Sequence, residues 1–382
     1  MRHPRLDHDL SVDVAIIGGG FTGLAAAYYL ALRGTRVAVL EQHFLGWGAS
    51  GRNGGQLLTG WPTDLTNVQQ RLGTHAAKVL WQVAKDAMHR VTGFIRASGA
   101  DCELRQVGHL EAAATPEDVQ RLQGDGLTLQ TLAAHLTEWW DSKTVEGRVG
   151  TRGYLGGLFD PASFQFHPLK YLLILSQGAV HEGALVFCQT PVTEVSAVSS
   201  RFCLATPNGK VLADDVVFAT NAYLPKYVPW LKTRIEVVES TIIAVDAVSL
   251  PETMPTVSDT SPEYRYFRLA AQGRLLLFGG RRHPVVQTNP RRDPVYQEMV
   301  RLFPQLSGTA VRHRWSGRIA ISGDDLPHFG RMPSGAWFAA GYTGHGAALS
   351  TEIGWLLAES LTGNRVDADV ARLLGPDTMS PP

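Results

Sequence analysis

The pattern of apolar positions is sharpest near the start of the chain. Val14 to Ile17 is an unbroken apolar run ending in Gly18-Gly19-Gly20; a helix-like apolar stretch continues to Arg33, Gly34 stops it, and Val37 to Leu40 forms a second short run before Glu41. This order predicts a strand, a helix and a strand. Further on, Ala76, Val79, Leu80, Val83, Ala87, Val91, Phe94 and Ile95 recur mostly three or four apart, which predicts an amphipathic helix over His75 to Ser98. A hairpin-like pair is expected around Cys102 to Ala113. Thr115-Pro116-Glu117-Asp118 then opens another helix, with a capping hydroxyl, a proline in the first turn and acidic residues at the positive end of the dipole.

The middle of the chain alternates elements. Leu158 to Pro161 reads as the start of a loop leading to His167-Pro168 and a helix from about Leu169 to Glu182. Short strands are expected near Leu185, Val192 to Val195, Phe202 to Ala205 and Val211, followed by Val216 to Ala219, which ends in Thr220-Asn221. From about Pro225 to Val311 strands dominate: Ile235 to Val245, Tyr264 to Leu269 and Leu275 to Phe278, with Gly279-Gly280 read as a turn. After Trp315-Ser316-Gly317-Arg318, a loop runs through Pro327 and Gly330 to a strand, Ala336 to Ala340. The turn Gly341 to Gly346 then leads to a helix from about Ala347 to Leu361, and Pro381-Pro382 reads as a frayed tail.

Length divides these elements into two groups. A chain of 382 residues exceeds the roughly 250–300 at which one core stops growing. Residues 1–60, 151–225 and 312–382 are expected to form a discontinuous α/β, Rossmann-like dinucleotide-binding domain, and 61–150 and 226–311 a mixed-sheet α+β substrate domain. Lys+Arg and Asp+Glu are equal at 35 each and no basic run occurs, which argues against nucleic acid as a partner. Cys102, Cys188 and Cys203 are far apart and contain no C-x-x-C, so neither a disulfide framework nor a metal site is expected; they read as inert thiols. Val14 to Leu32 carries no charge, but the triple glycine divides it, so no integral membrane segment is expected. Asp7, Asp9 and Asp13 interrupt the approach to it, unlike a signal peptide, and the protein is read as cytoplasmic.

Chemistry enters with the glycines. Gly18, Gly20 and Gly23 match G-x-G-x-x-G: a tight turn, a close approach of backbone to a pyrophosphate, and close packing of helix on strand. The helix N-terminus then offers free N–H groups and a positive dipole end to phosphate. Glu41 follows at about the 20-residue spacing of a ribose-binding carboxylate. Gly46 to Gln56 is a run of small residues directly after this unit, able to bring N–H groups close to a flat or phosphorylated ligand. Thr220 sits at a strand end, where open α/β sheets bind ligands.

Taken together and in this order, these motifs resemble the flavin amine oxidases of the glycine oxidase and D-amino-acid oxidase superfamily. The resemblance covers nearly the whole chain: the G-x-G-x-x-G with Glu41, Val192 to Val195, the strand into Ala219-Thr220-Asn221, Trp315-Ser316-Gly317, and Gly341 to Gly346. Gly46 to Gln56 is most similar to the gamma-glutamylputrescine oxidase and pipecolate oxidase branch. The resemblance implies an FAD-binding domain in which Ser50 and Arg52 contact the phosphates, and Asn53, Gly54, Gly55 and Gln56 the flavin edge. It also implies that Val192 meets the adenine through its backbone and that Gly344 to Gly346 lie beside the pyrimidine ring. Four positions depart from relatives. Ile319 stands where glycine oxidases carry a carboxylate-binding arginine, with Arg318 beside it. No cysteine follows Cys203, and Asn53-Gly54 replaces a flavin-linking histidine, so FAD is expected to be non-covalent. No lysine follows Lys232, so the oxygen-activating lysine of sarcosine oxidases is absent.

The implied reaction is FAD-dependent oxidation of a primary or secondary amine or amino acid, by hydride transfer from the carbon bearing nitrogen, giving an imine that hydrolyses. Oxygen or another compound is the electron acceptor. His345, Arg318 and Tyr266 are the candidates for the reacting end, and Arg268, Trp315 and Tyr342 for the pocket wall; Asp160 and His167 read as loop and helix-start residues. The alternatives are a glycine or D-amino-acid type of oxidase or a dehydrogenase with a non-oxygen acceptor, an NAD-dependent oxidoreductase using the same glycine motif, and a non-catalytic flavin-binding protein.

Overall fold

The computed structural model describes residues 3–281 and 293–380; the expected tail Pro381-Pro382 and part of the 226–311 stretch lie outside them. The opening unit forms as its pattern predicts: strand β1 (Leu10–Ile17), helix α1 (Phe21–Ala31) and strand β2 (Val37–Leu40). β1 pairs in parallel with β2 on one side and with Gly209–Phe218 on the other. Leu24, Ala25, Ala26, Ala27 and Leu30 are fully buried in α1, as befits a helix that is apolar nearly all round. It packs against the late helix Gly346–Leu361, where a Cβ on Gly354 would stand 2.7 Å from both Ala25 Cβ and Thr22 O.

The first sheet runs in the order Glu194–Val198, Arg201–Thr206, Gly209–Phe218, β1, β2, Leu185–Phe187. Trp337–Ala340 lies parallel beside the end of Gly209–Phe218, and His328–Arg331 runs antiparallel along it. The parallel strands therefore deliver Gly18, Glu41, Ala219 and Gly341 to one edge of the sheet, the edge at which open α/β sheets bind ligands.

A second mixed sheet runs Val311–Ser322, Ile235–Asp246, Leu275–Arg281, Tyr266–Ala270, Thr256–Asp259, His109–Ala113, Gly156–Asp160, Glu138–Asp141. Ile243, Val245, Phe267 and Phe278 bury against Met299 and Phe303 in its own core. Gly156–Asp160 and Val311–Ser322 come from stretches that the sequence groups with the dinucleotide sheet, yet both are strands here. The first includes the expected loop start at Leu158. It has no β-branched residue to announce it and is fixed by a stack of Trp140 on Phe159, with ring centroids 4.1 Å apart.

Two further expectations are corrected by partners distant in sequence. No hairpin forms across Cys102 to Ala113: Arg105–Gln106 pairs with Phe164–Gln165, whereas His109–Ala113 pairs with Gly156–Asp160. Gly279-Gly280 is strand, not turn; the bare Cα of Gly279 makes room for the Tyr266 ring, whose Cζ would be 2.4 Å from a Cβ there. The helix expected over His75 to Ser98 forms, starting after Gly73 at φ 85°; a separate helical segment that the pattern did not announce precedes it from Leu65, capped by Asp64 accepting from Asn67 N–H. Val192 precedes its strand, which starts at Glu194. Helices Ser142–Val149 and Pro294–Leu302 are too short for periodicity to announce.

Candidate functional site

One continuous cavity of about 990 Å³, at the top of the usual range for ligand pockets, opens along the C-terminal edge of the first sheet and ends against the second. It is lined by Ile17 to Thr22, Glu41, Gly46 to Gly48, the stretch from Asn53 to Gln56, Val192 and Ala219 to Tyr223 on one side. Ser240, Tyr266, Gly317, Arg318, Ile319 and the turn Gly344 to Ala348 continue it.

At its first end the glycines do what their spacing predicts. Gly18 adopts φ +112°, and a Cβ there would stand 2.7 Å from Ala219 O; a Cβ on Gly23 would lie 2.0 Å from Gly18 O. Only glycine lets turn, strand and helix converge so closely. The Ser50 hydroxyl accepts from Phe21 N–H at 3.0 Å, at the open N-terminus of α1, and keeps its own hydrogen to donate; it also stands 3.0 Å from where a Gly20 Cβ would be. Glu41 Oε2 accepts from Gly19 N–H at 2.9 Å and Oε1 from His43 N–H at 2.8 Å, so the carboxylate is aimed before any ligand arrives.

The small-residue loop is built differently from a flexible surface loop. Ala49–Arg52 is a short helical turn. The Asn53 amide donates to Ser50 O at 2.9 Å, and its oxygen accepts from Gly55 N–H at 2.9 Å. Arg52 donates to Ser316 O at 2.9 Å and to Trp47 O, while Trp315 Nε1 donates back to Arg52 O at 2.8 Å. Gln56 Nε2 reaches Val257 O at 2.9 Å and Phe267 O at 3.2 Å in the second sheet. The side chains of Arg52, Asn53 and Gln56 thus tie the loop together and to the second sheet, leaving the backbone of Gly54 and Gly55 to face the cavity.

At the far end, Tyr266 is held between Gly54 and Gly279, with its hydroxyl 2.8 Å from Ser240 Oγ; Ser240 donates to Gly280 O, so Tyr266 O–H is the donor to Ser240. Arg318 is exposed on the cavity edge, its guanidinium 5.9 Å from the Tyr223 ring centre, and among the described residues no carboxylate lies within 4.0 Å of it. Ile319 lines the same wall. His345 caps the helix Gly346–Leu361 with its N–H donating to Tyr342 O at 2.8 Å. Tyr342 is buried, hydrogen-bonded to Thr22 Oγ1 at 2.7 Å, and joins the N-terminal turns of the two cavity-facing helices. Trp315 and Arg268 brace the loop from outside the cavity lining, and Asp160 and His167 are structural: Asp160 binds His135, and His167 caps the helix Pro168–His181.

The sequence did not reveal Tyr223, Lys226, Tyr227 and Lys232, which also line the cavity. An aromatic residue three positions past a strand end, as Tyr223 is past Thr220, is the only local signal. Cys102 and Cys188 have their thiols pushed up to about 11 by burial and stay protonated at neutral pH. Among the described residues no group of three His, Cys, Asp or Glu could hold a metal, and no helix is long and apolar enough to cross a membrane.

These features fit a long dinucleotide with a flat ring. The glycines leave a cradle that Cβ atoms would fill, two helix N-termini open onto it, and Thr220 brings to its edge a buried hydroxyl that has no hydrogen-bond partner among the described residues. Comparison with known proteins agrees. The chain is 32% identical over 375 residues to the probable oxidoreductase OrdL of Haemophilus influenzae, covering 94% of this chain and 85% of the relative. It is 29% identical over 373 residues to the gamma-glutamylputrescine oxidoreductase of Escherichia coli, covering 95% and 87%. The fold matches the crystal structure of glycine oxidase from Geobacillus kaustophilus with a TM-score of 0.77 at 23% identity, over 95% of this chain and 98% of that one. The family model described as FAD dependent oxidoreductase matches residues 13–360, and this chain belongs to that family.

Proposed function

We propose that the protein oxidises a primary or secondary amine, or an amino acid, at the carbon bearing nitrogen. The observation that carries this reading is the continuity of the cavity, which runs from the glycine cradle past Gly54 and Gly55 to a chamber walled by Tyr266, Ile319, Arg318 and His345. Bound FAD would supply the hydride acceptor, and the imine product would hydrolyse in water. The chain's own residues position the reactants. Ser50, Thr220 and the N-terminus of α1 hold the dinucleotide, with Gly18, Gly20 and Gly23 making room for it and Glu41 and Val192 at its adenosine end. The N-terminus at Gly346, with Gly344 beside it, favours the negative charge that accompanies reduction. Tyr266, Arg318 and His345 orient the amine. Arg52, Asn53 and Gln56 support the loop against which the flavin lies.

The names of relatives support an amine substrate, and family membership favours FAD over the nicotinamide alternative. With Ile319 on the wall, a substrate carboxylate is not held at that position, and Arg318 at the cavity edge is the cation available to a more distant acidic group. FAD is held without a covalent bond, the acceptor is oxygen or another electron acceptor, and the protein works in the cytoplasm. The test is anaerobic: purified yellow protein is mixed with a panel of amines, N-methyl amino acids and acidic amines, and absorbance near the flavin maximum is followed. Bleaching by an amine is expected. If dithionite bleaches the flavin and no amine does, the reading fails.

A further inference from the structure

Arg268 is 5% exposed, on the strand Tyr266–Ala270, and among the described residues its guanidinium donates only to backbone carbonyls: Gly54 O, Phe166 O at 3.2 Å and Leu269 O at 3.0 Å. Among the described residues no carboxylate lies within 4.0 Å. Glu103 is the acidic group whose field reaches it, and Glu103 is engaged with Lys170 at 2.9 Å. Burial pulls the guanidinium down to about 10, which still leaves it charged at neutral pH. An unpaired buried cation is costly, so a fold that keeps one needs a compensating negative charge or a use for the field.

The position indicates the use. Arg268 does not line the cavity, but Gly54 and Gly55 do, and the guanidinium sits directly behind them. A Cβ on Gly55 would be 2.6 Å from Arg268 Nη2 and 2.3 Å from Phe166 O. Glycine at 55, with φ +71°, therefore lets a fixed positive charge come within one backbone thickness of whatever rests on this loop.

We propose that Arg268 is a positioning residue that shapes the Gly54-Gly55 ledge and, through that ledge, biases the bound flavin toward its reduced form. This rests on the proposal that the flavin edge lies against Asn53 to Gln56. Uptake of two electrons and one proton by FAD adds one negative charge, and a cation held in a low-dielectric site favours the state that carries it. No amine is needed to see this effect.

The experiment measures the two-electron midpoint potential of the holoprotein by equilibration with reference dyes, together with FAD affinity and thermal melting. Arg268→Gln keeps a donor for the Gly54 carbonyl and removes the charge; Arg268→Lys keeps the charge. In Arg268→Gln the preference for reduced over oxidised flavin should fall at least about tenfold, a drop of about 30 mV for a two-electron couple, and in Arg268→Lys most of the preference should remain. An unchanged potential in folded, flavin-loaded Arg268→Gln overturns the proposal, and so does an equal fall in both variants. If Arg268→Gln does not fold, Glu103→Gln decides: removing the opposing charge should raise the potential, and no rise overturns the proposal. A failed amine panel with these potentials as expected would sink the substrate reading alone.

Discussion

Gly55 satisfies two constraints at once: it holds a left-handed backbone at φ +71°, and it leaves no room for a side chain before Phe166 O. Gly55→Ala must strain the loop or push it into the cavity. We expect a stability loss of about 1–3 kcal/mol and weaker FAD retention, checked by thermal melting and by flavin absorbance after gel filtration. His109 shows a different constraint. Its ring is buried between Thr256 Oγ1 and Ser258 Oγ, each at 2.9 Å, and burial depresses it to about 4 from the usual 6.5. The folded protein keeps the ring neutral while the unfolded chain takes up a proton below 6.5. Its contribution is therefore complete above about pH 6.5 and is lost as the pH falls toward 4, by up to about 3 kcal/mol. Urea midpoints across that range should fall in the parent protein and fall less in His109→Gln. Glycine motifs were legible because each carries its constraint in local spacing. Tyr223 and Lys232 were not, because they lie in the turn and short helix between two strands and only the tertiary fold brings them to the cavity.

At the scale of elements, the contact between α1 and Gly346–Leu361 sets the distance between two helix N-termini that line one cavity. Thr22 and Tyr342 lock their first turns, and Gly354 lets the helices touch. Gly354→Val would overlap Ala25 and the Thr22 carbonyl. Stability should drop by about 1–3 kcal/mol, and FAD affinity should fall more than for a valine placed elsewhere on that helix, as read by equilibrium titration of the apoprotein. The pattern of β1, α1 and β2 could be read from sequence because strand and helix periods change within a few residues of each other. The second sheet was harder. Gly279-Gly280 has turn composition but strand geometry because the Tyr266 ring occupies the space that side chains would take, and Arg105–Gln106 finds its partner at Phe164–Gln165.

For the whole molecule, the loop Gly46 to Gln56 is bonded to the second sheet through Arg52, Trp315, Gln56 and Arg268, and to helix α1 of the first layer through Ser50, which accepts from Phe21 N–H. The two layers should therefore unfold together, and a ligand seated on the loop should stabilise both. At free FAD a hundred times its dissociation constant, the expected gain is about 2.7 kcal/mol. Melting curves of apoprotein with rising FAD, followed by far-ultraviolet and aromatic circular dichroism, should shift upward and stay coincident; a second transition indifferent to FAD would contradict this. That 382 residues would need more than one sheet could be anticipated from length. The membership of Val311–Ser322 could not, since its partner Ile235–Asp246 is set by long-range pairing.

The parallel pairing of β1 with Gly209–Phe218, and the late arrival of Gly344 to Ala348 at the cavity, also bear on the order of synthesis. Translation reaches the glycine cradle well before Gly209–Phe218, the strand on one side of β1, and reaches Gly344 to Ala348 later still. A nascent chain can display the G-x-G-x-x-G turn without a place to keep a dinucleotide. Retention of FAD should therefore require translation to have passed Gly346, and a chain stalled before that residue is expected to hold the cofactor less well.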